Sequence, residues 1–400
     1  MRYRISKNIS FLSPRYYSKL KLQEVSPGNN LVLKDKGSTR EFIINHTTKL
    51  FIEKFSEPKC FDEISDEIAN EVNAPGIEIK KLIKPFFRYM KYRQFIVPEN
   101  ASEVKAKRRQ LFNANKIVDN YKIIKNIDAN DDVELYHATD LKSESDAVIK
   151  LLRQATKQEV KELLREFRFL THISKTGVTP KAYKFITGKE YVCFAQEYID
   201  GKRLMEHVRT KKRSSFNDIA EIILGIITGF KKIHARGVVH GDIHPSNIIV
   251  TRNGKIKIID FGFAVNYEVE KNEIVNFGGV YFYMPPERIN TTTYKKFSRR
   301  PDFYSDVYQL GMILYDLLYH KYPFNGITWE ELSKEIKEKE AVYPAKSYYK
   351  FTVPEWLINI IQKCLEKNPA KRFINAQEMH SSFIKSKVQN GIKIRPAIKI

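Results

Sequence analysis

The stretch VVHGDIHPSNIIVTRNGKIKIIDFG, at 238–262, constrains this 400-residue chain more than any other part of it. Two β-branched runs, 247–251 and the KIKIID segment ending at Asp260, flank Asn253-Gly254, the dipeptide of a tight hairpin turn, and are expected to pair as antiparallel strands. Ahead of them, the apolar run from Ile222 to Ile233 leaves Asp242 and Asn247 in a loop, and the hairpin returns Asp260, Phe261 and Gly262 beside it. Two carboxylates and an amide oxygen on short loops suit Mg²⁺, which takes a few hard protein oxygens and completes its shell with water and substrate phosphates. They also suit an in-line phosphoryl transfer, where the protein aims a hydroxyl and neutralises a polyphosphate. Any one of these residues alone reads equally as a turn residue satisfied by its own backbone. Their joint order and spacing are what point to chemistry.

These segments resemble the protein-kinase family. HGDIHPSN is similar to that family's HRDLKPEN catalytic loop, and IIDFG matches its metal-binding DFG segment. The resemblance implies ATP and Mg²⁺ as cofactors, Asp242 as catalytic base, and Asn247 and Asp260 as metal ligands. It extends over about 118–387. Lys150, inside the apolar strand DAVIKLL, resembles the kinase strand lysine, and a charge set there needs a partner. In the helical pattern from Gln158 to Ser174 the resemblance implies Glu166 as that partner, although a surface glutamate is the ordinary reading of such a residue. YVCFAQEYIDG (191–201) resembles the hinge between two lobes, with Gln196 as gatekeeper and backbone groups near Glu197 and Ile199 meeting adenine. GGVYFYMPPE (278–287) resembles the substrate-docking segment, anchored by Glu287 to Arg372 in NPAKRF. Small-molecule kinases share HGDxHPxN loops but usually lack that segment, so the resemblance favours a protein or peptide substrate.

Four departures qualify it. Aligned on Tyr121 and on Leu135-Tyr136, the phosphate-binding hairpin reads IDANDDVELY, with Asp128, Asn130 and Val133 where glycines are expected. Side chains there hold the backbone away from phosphates, and Asp128, Asp131 and Asp132 add negative charge. One unscreened like charge at about 4 Å costs about 4 kcal/mol at an effective dielectric near 20, much of which solvent and Mg²⁺ remove. Weaker or differently oriented nucleotide binding is expected, with an exposed acidic hairpin as the plain alternative. Gly241 replaces an arginine that reads an activating phosphate in many kinases, and from Asp260 to Glu287 the only hydroxyl residues are Tyr267, Tyr281 and Tyr283. Activation by Ser/Thr phosphorylation of that segment is therefore not expected. His244 replaces the loop lysine, leaving the γ-phosphate an imidazole contact. Val280 stands where Ser/Thr kinases carry a threonine, which leaves Ser/Thr and Tyr acceptors both open.

The expected fold class is α+β: a two-lobed kinase-like fold, N-lobe 118–200 and C-lobe 201–387, after an N-terminal winged-helix-like domain at 1–97, a basic linker at 98–117, and before a basic tail at 388–400. In the N-terminal part, LVLKD and REFIIN read as strands; TTKLFIEKF, FDEISDEIANEV and IEIKKLIKPFFRYMKYRQF as helices; IVP as a closing strand. This order is similar to the PqqD-like recognition element, which implies capture of a leader peptide by strand addition in pathways that modify ribosomally made peptides. A nucleic-acid-binding winged helix and a structural appendage are the alternatives. Joined to a kinase, the capture reading resembles the kinases of lanthipeptide assembly, with the leader peptide raising local substrate concentration.

A net charge of +22 is compatible with nucleic acid, anionic membrane or an acidic peptide. No basic stripe interleaved with stacking aromatics appears, which argues against nucleic acid as partner. The basic cluster YKKFSRR (294–300) and the KAKRR run read either as solvated segments or as contacts for acidic partners. Three cysteines without CxxC spacing argue against a disulfide framework or zinc site. No signal-peptide core or 18-residue apolar run is evident, so a soluble, cytoplasmic chain without a membrane span is expected. The leading functional expectation is a Ser/Thr-type protein or peptide kinase. A pseudokinase scaffold, a small-molecule kinase and a DNA-binding regulator stand beside it.

Overall fold

The computed structural model describes residues 2–5, 9–11, 30–35, 41–45, 51–71, 73, 75–80, 83–84, 87, 96–99, 111–129, 133–153, 155, 157–210, 214–267, 281–289, 300–325 and 329–392. Asn130, Asp131, Asp132, Val280, the linker residues 100–110, the basic residues 294–299, most of the third expected N-terminal helix and the tail from 393 lie outside them. The chain divides into two units, Met1–Gln110 and Leu111–Ile400.

In the first unit, strand β1 (Tyr3–Ile5), β2 (Ile9–Phe11), β3 (Asn30–Asp35) and β4 (Glu41–Asn45) precede helix α1 (Phe61–Glu71) and strand β5 (Ile96–Pro98). Strands β2, β3 and β4 form an antiparallel sheet in that order, and β1 pairs antiparallel with β5, Arg4 opposite Val97. Helix α1 starts with Asp62 and Glu63, where carboxylates oppose the positive end of the helix dipole. Glu63 takes the Cys60 N–H at 2.7 Å. The core gathers Tyr3, Ile52, Phe55, Ile64, Phe87 and Ile96. Strands β1 and β2 escaped the sequence reading because three residues hold no usable alternation, and the partner of β1 lies at the far end of the unit.

The second unit opens earlier than expected. Phe112, assigned to the linker, is 4% exposed and packs on Tyr136 and Tyr191 at centroid distances of 5.4 and 5.0 Å. The expected linker is also too long at its start, since Pro98 belongs to β5 and the Glu99 N–H bonds Arg2 O at 3.0 Å. A single aromatic in a polar run carries no periodicity, so its burial could not be read locally. A six-stranded sheet follows, built from β6 (Ile117–Val118), β7 (Tyr121–Ala129), β8 (Val133–Asp140), β9 (Asp146–Arg153), β10 (Ala182–Thr187) and β11 (Tyr191–Glu197), in the order β10-β11-β9-β8-β7-β6. Helix α2 (Lys157–Ile173) follows β9 and turns Leu163, Phe169, Leu170 and Ile173 inward.

The larger, helical part contains β12 (Gly201–Arg203), α3 (Leu204–Thr210), α4 (Phe216–His234), β13 (Val238–Val239), β14 (Ile248–Thr251), β15 (Ile256–Ile258) and β16 (Val265–Asn266). Helices α5 (Phe303–Tyr319), α6 (Trp329–Glu338), α7 (Glu355–Cys364) and α8 (Ala376–Gln389) complete it. Helix α8 runs to Gln389, past the expected start of the tail. Helix α5 is buried from Ser305 to Tyr319, as expected of a helix apolar on all sides. Strands β14 and β15 form the hairpin read from the sequence, Ile248 opposite Ile258, and β12 adds to its other edge, Arg203 opposite Ile249. Sheet-rich and helical parts together form a two-lobed α+β architecture. Among the described residues, no helix is long and apolar enough to cross a membrane.

Candidate active site

Strand β9 alternates its side chains, so Lys150 faces away from the core formed by Ile149 and Leu151 and toward α2. Its Nζ lies 2.6 and 2.8 Å from the two carboxylate oxygens of Glu166 and 3.1 Å from Asp260 Oδ1. Burial opposes the lysine's charge, but Asp260 and Glu166 outweigh it and hold its pKa above the ordinary range. Asp260 is held down at about 2, chiefly by Lys150 and against burial. Both groups therefore stay ionised at neutral pH.

The loop 240–247 is fixed from beneath by α5. Asp306 accepts the N–H groups of His240 and Gly241 at 2.7 and 2.9 Å, and Gln309 Oε1 accepts that of Ile243 at 3.0 Å. His234 Nδ1 accepts the Ala376 N–H at 3.1 Å, so its proton sits on Nε2 and is donated to Asp306 at 3.0 Å. His240 is likewise oriented: Nδ1 accepts the Asp242 N–H at 3.3 Å and Nε2 donates to Ile259 O at 3.2 Å. Burial pushes its pKa down, which keeps it neutral. The loop is thus organised by groups that do not themselves reach the cleft.

The structure brings most of the expected residues together around that loop. Asn247 Nδ2 donates to Asp242 O at 3.0 Å, and Ile259 N donates to Asn247 O at 3.0 Å, tying the loop to the segment that ends in Asp260. Asp260 adopts φ +65° and accepts the Gly262 N–H at 3.4 Å. His244 Nε2 stands 3.5 Å from Asp242 Oδ2. With its N–H committed, Asn247 has Oδ1 as a ligand atom, and Asp260 has Oδ2. Two hard oxygens fit an open Mg²⁺ site completed by phosphates and water. Among the described residues no group of three or more His, Cys, Asp or Glu forms a closed cage.

At the hinge position, Gln196 pairs with Val148 of β9 and the Glu197 side chain is already engaged, accepting the Lys181 N–H at 3.0 Å with Lys257 Nζ at 3.5 Å. The Glu197 N–H is engaged as well, donating to Lys181 O at 2.8 Å. Asp128 is exposed on β7, opposite Leu135; Asn130 lies outside the described residues. Arg372 donates to both oxygens of Glu287 at 2.9 and 2.7 Å. Tyr283 donates to Asp316 at 2.8 Å, and burial lifts that carboxyl to about 6.

The sequence reading did not find Asp306, Gln309, Arg288 or Arg203. Arg288, fully buried, donates Nη1 to Gly241 O at 2.8 Å, and Arg203 donates to Ser246 O. The signal for the first two was present: SDVYQLG puts an aspartate and a glutamine in a strongly apolar helix, and buried polar groups require partners.

Comparison with known proteins agrees with this architecture. The family model described as protein kinase domain matches residues 121–384. A probable serine/threonine-protein kinase of Clostridium perfringens is 26% identical over 253 residues, covering 62% of this chain and 35% of that protein. Serine/threonine-protein kinase PrkC of Bacillus subtilis is 26% identical over 273 residues, covering 66% and 40%. Serine/threonine-protein kinase ppk11 of Schizosaccharomyces pombe is 25% identical over 257 residues, covering 64% and 78%. The chain thus spans well under half the length of the two bacterial relatives. Because the match runs from the first long strand of the second unit to its last helix and takes in the whole polar constellation, this chain belongs to the protein kinase family.

Proposed function

We propose that the chain transfers the γ-phosphoryl group of ATP to a serine or threonine of a protein or peptide. The observation that carries this reading is the ion-pair set of Lys150 with Glu166 and Asp260, at 2.6 and 3.1 Å, beside the Asp242 and Asn247 loop. ATP bound with Mg²⁺ supplies the transferable group. Lys150, positioned by Glu166, would meet the phosphates, and Asn247 and Asp260 would hold the metal. Asp242 orients the acceptor hydroxyl and takes its proton, and His244 contributes an N–H toward the γ-phosphate. Glu197 and Ile199 offer backbone groups to the adenine beside Gln196. Arg372 fixes Glu287 and with it the end of the docking segment, which favours a polypeptide over a small molecule. Purified full-length chain with labelled ATP and Mg²⁺ tests the reading: absence of transfer to itself or to any peptide, with Asp242→Asn indistinguishable from the parent, removes it.

The first unit serves, in this proposal, to capture the substrate's leader segment. Supporting it are the helix-and-strand order that resembles the PqqD-like element and a three-stranded sheet whose outer strands, among the described residues, are β2 and β4. An outer strand can accept an added one. Capture raises the effective concentration of one peptide, so a precursor with its leader should show a higher kcat/KM than the leaderless peptide. Equal values would count against it. A catalytically weak scaffold is the second reading, favoured by Asp128 standing exposed in a hairpin without glycine.

A further inference from the structure

Gln110 ends the first unit, and the next two residues are already bound to the six-stranded sheet of the second. Leu111 donates its N–H to Glu134 Oε2 at 3.1 Å, and Phe112 donates its N–H to the Tyr136 hydroxyl at 3.2 Å. That hydroxyl in turn donates to Glu134, which also pairs with Arg153 of β9. The Phe112 ring covers Tyr136 and Tyr191 at centroid distances of 5.4 and 5.0 Å. Phe112, Glu134 and Tyr136 are 4, 7 and 0% exposed, so ring, carboxylate and hydroxyl share one buried cluster. Burial raises the Glu134 carboxyl, but Arg153, Tyr136 and the Leu111 N–H outweigh it and hold its pKa below the ordinary range. It stays ionised, and a charged acceptor makes the stronger hydrogen bond to the entering chain.

This cluster lies on one face of β8, and Lys150 lies on the other. Side chains alternate along a strand, so Glu134 and Tyr136 turn outward while Val133 and Leu135 turn inward. The packing agrees: Tyr136 joins the core of Ile149 and Leu151, whereas Val133 packs against the core that holds Leu152 and Phe194. In the ladder Glu134 stands opposite Leu151, and Leu135 directly opposite Lys150. Directly opposed residues share a face of the sheet. Holding residues 134 and 136 from outside therefore fixes the residue between them against Lys150. From Ile127 to Tyr136 no glycine lets the backbone close on a phosphate. The placement of the strand itself then sets how near the hairpin comes.

We propose that Leu111 and Phe112 form a positioning clamp for the nucleotide, which acts through Glu134 and Tyr136 to fix β8 over Lys150 and thereby sets the affinity for Mg·ATP. The proposal rests on the ATP reading above and deepens it. All four residues work from the outer face, through the strand, as positioning residues rather than as ligands of the nucleotide.

Calorimetric titration with Mg·ATP and amide hydrogen exchange, both on the full chain, test the clamp. Tyr136→Phe keeps the ring and removes only the hydroxyl that joins Phe112 to Glu134, so it is the milder variant; Phe112→Ala removes the cover as well. Tyr136→Phe is expected to weaken Mg·ATP about threefold and Phe112→Ala about tenfold. Amides of 123–136 are expected to exchange faster in both variants, with those of α5 unchanged. A lower unfolding midpoint with Mg·ATP affinity unaltered in both variants overturns the proposal, because the cluster is then structural only. Faster exchange confined to 111–118 overturns it too. A parent chain that binds no Mg·ATP removes the kinase reading and this inference with it, whereas a parent that binds and variants that bind equally well remove the clamp alone.

Discussion

At the residue scale, two carboxylates stand in opposite environments. Asp260 is kept ionised at about 2 by Lys150, as the proposed metal ligation requires, whereas Asp316, 7% exposed, is raised to about 6 by burial despite the Tyr283 hydrogen bond. Below about pH 4 Asp316 is protonated in folded and unfolded chains alike, and its environment costs nothing. As pH rises from 4 to 6 the unfolded state ionises first, so folding stability falls by roughly 2–3 kcal/mol and then levels. Asp316→Asn, which still accepts the Tyr283 proton, should flatten that part of the curve of unfolding midpoint against pH. A variant curve parallel to the parent's would show that the group does not titrate there. Asp242→Asn should lower kcat by about 10²–10⁴ with little change in KM for ATP, since the loss is confined to proton acceptance and alignment of the acceptor. Steady-state kinetics against both substrates distinguishes this from a loss of nucleotide binding.

Among the elements, α5 decides the most. It carries the Asp306 and Gln309 contacts that hold the catalytic loop, the Asp316 partner of Tyr283, and Gly311, where a Cβ would meet Cys364 Cβ of α7 at 2.5 Å. In an isolated helix, Gly→Ala gains about 0.5–1 kcal/mol. At Gly311 the overlap is with the packed body of another helix, and overpacking costs about 1–3 kcal/mol. The packing term should therefore win, and Gly311→Ala should lower stability in denaturant titration; a stabilised variant would mean that α5 and α7 separate without cost. The same element shows how sequence legibility fails. The SDVYQLGMILYDLL pattern gives a buried helix from its apolar residues, yet the targets of Asp306 and Gln309 lie 65 or 66 residues upstream, and nothing local names them. The β14–β15 hairpin is the opposite case, since Asn253-Gly254 and alternating β-branched residues specify turn, register and partner within a dozen residues.

Across the whole molecule, Arg372 and Glu287 join the last helical region to the segment 281–289, with side-chain exposures of 0 and 9%. Breaking a buried pair on one side leaves an uncompensated charge and costs about 3–5 kcal/mol. Arg372→Met should thus unfold the second unit at markedly lower temperature, and Glu287→Gln combined with it should restore part of the loss; strict additivity of the two would argue against direct coupling.

The sequence by itself determined that Asp242 and Asn247 share one loop and that a hairpin returns Asp260 beside it, because a hairpin and a tight loop impose that short-range spacing. A charged residue in an apolar strand demanded a partner for Lys150, and the family resemblance named Glu166, which the structure places at 2.6 Å. Only the tertiary structure decided that α5 supports the loop, that Phe112 closes the second unit's core, and that Arg203 bonds the carbonyl of Ser246. Those contacts join residues far apart in the chain, where burial and pairing are set by how layers meet and leave no periodic mark in either segment.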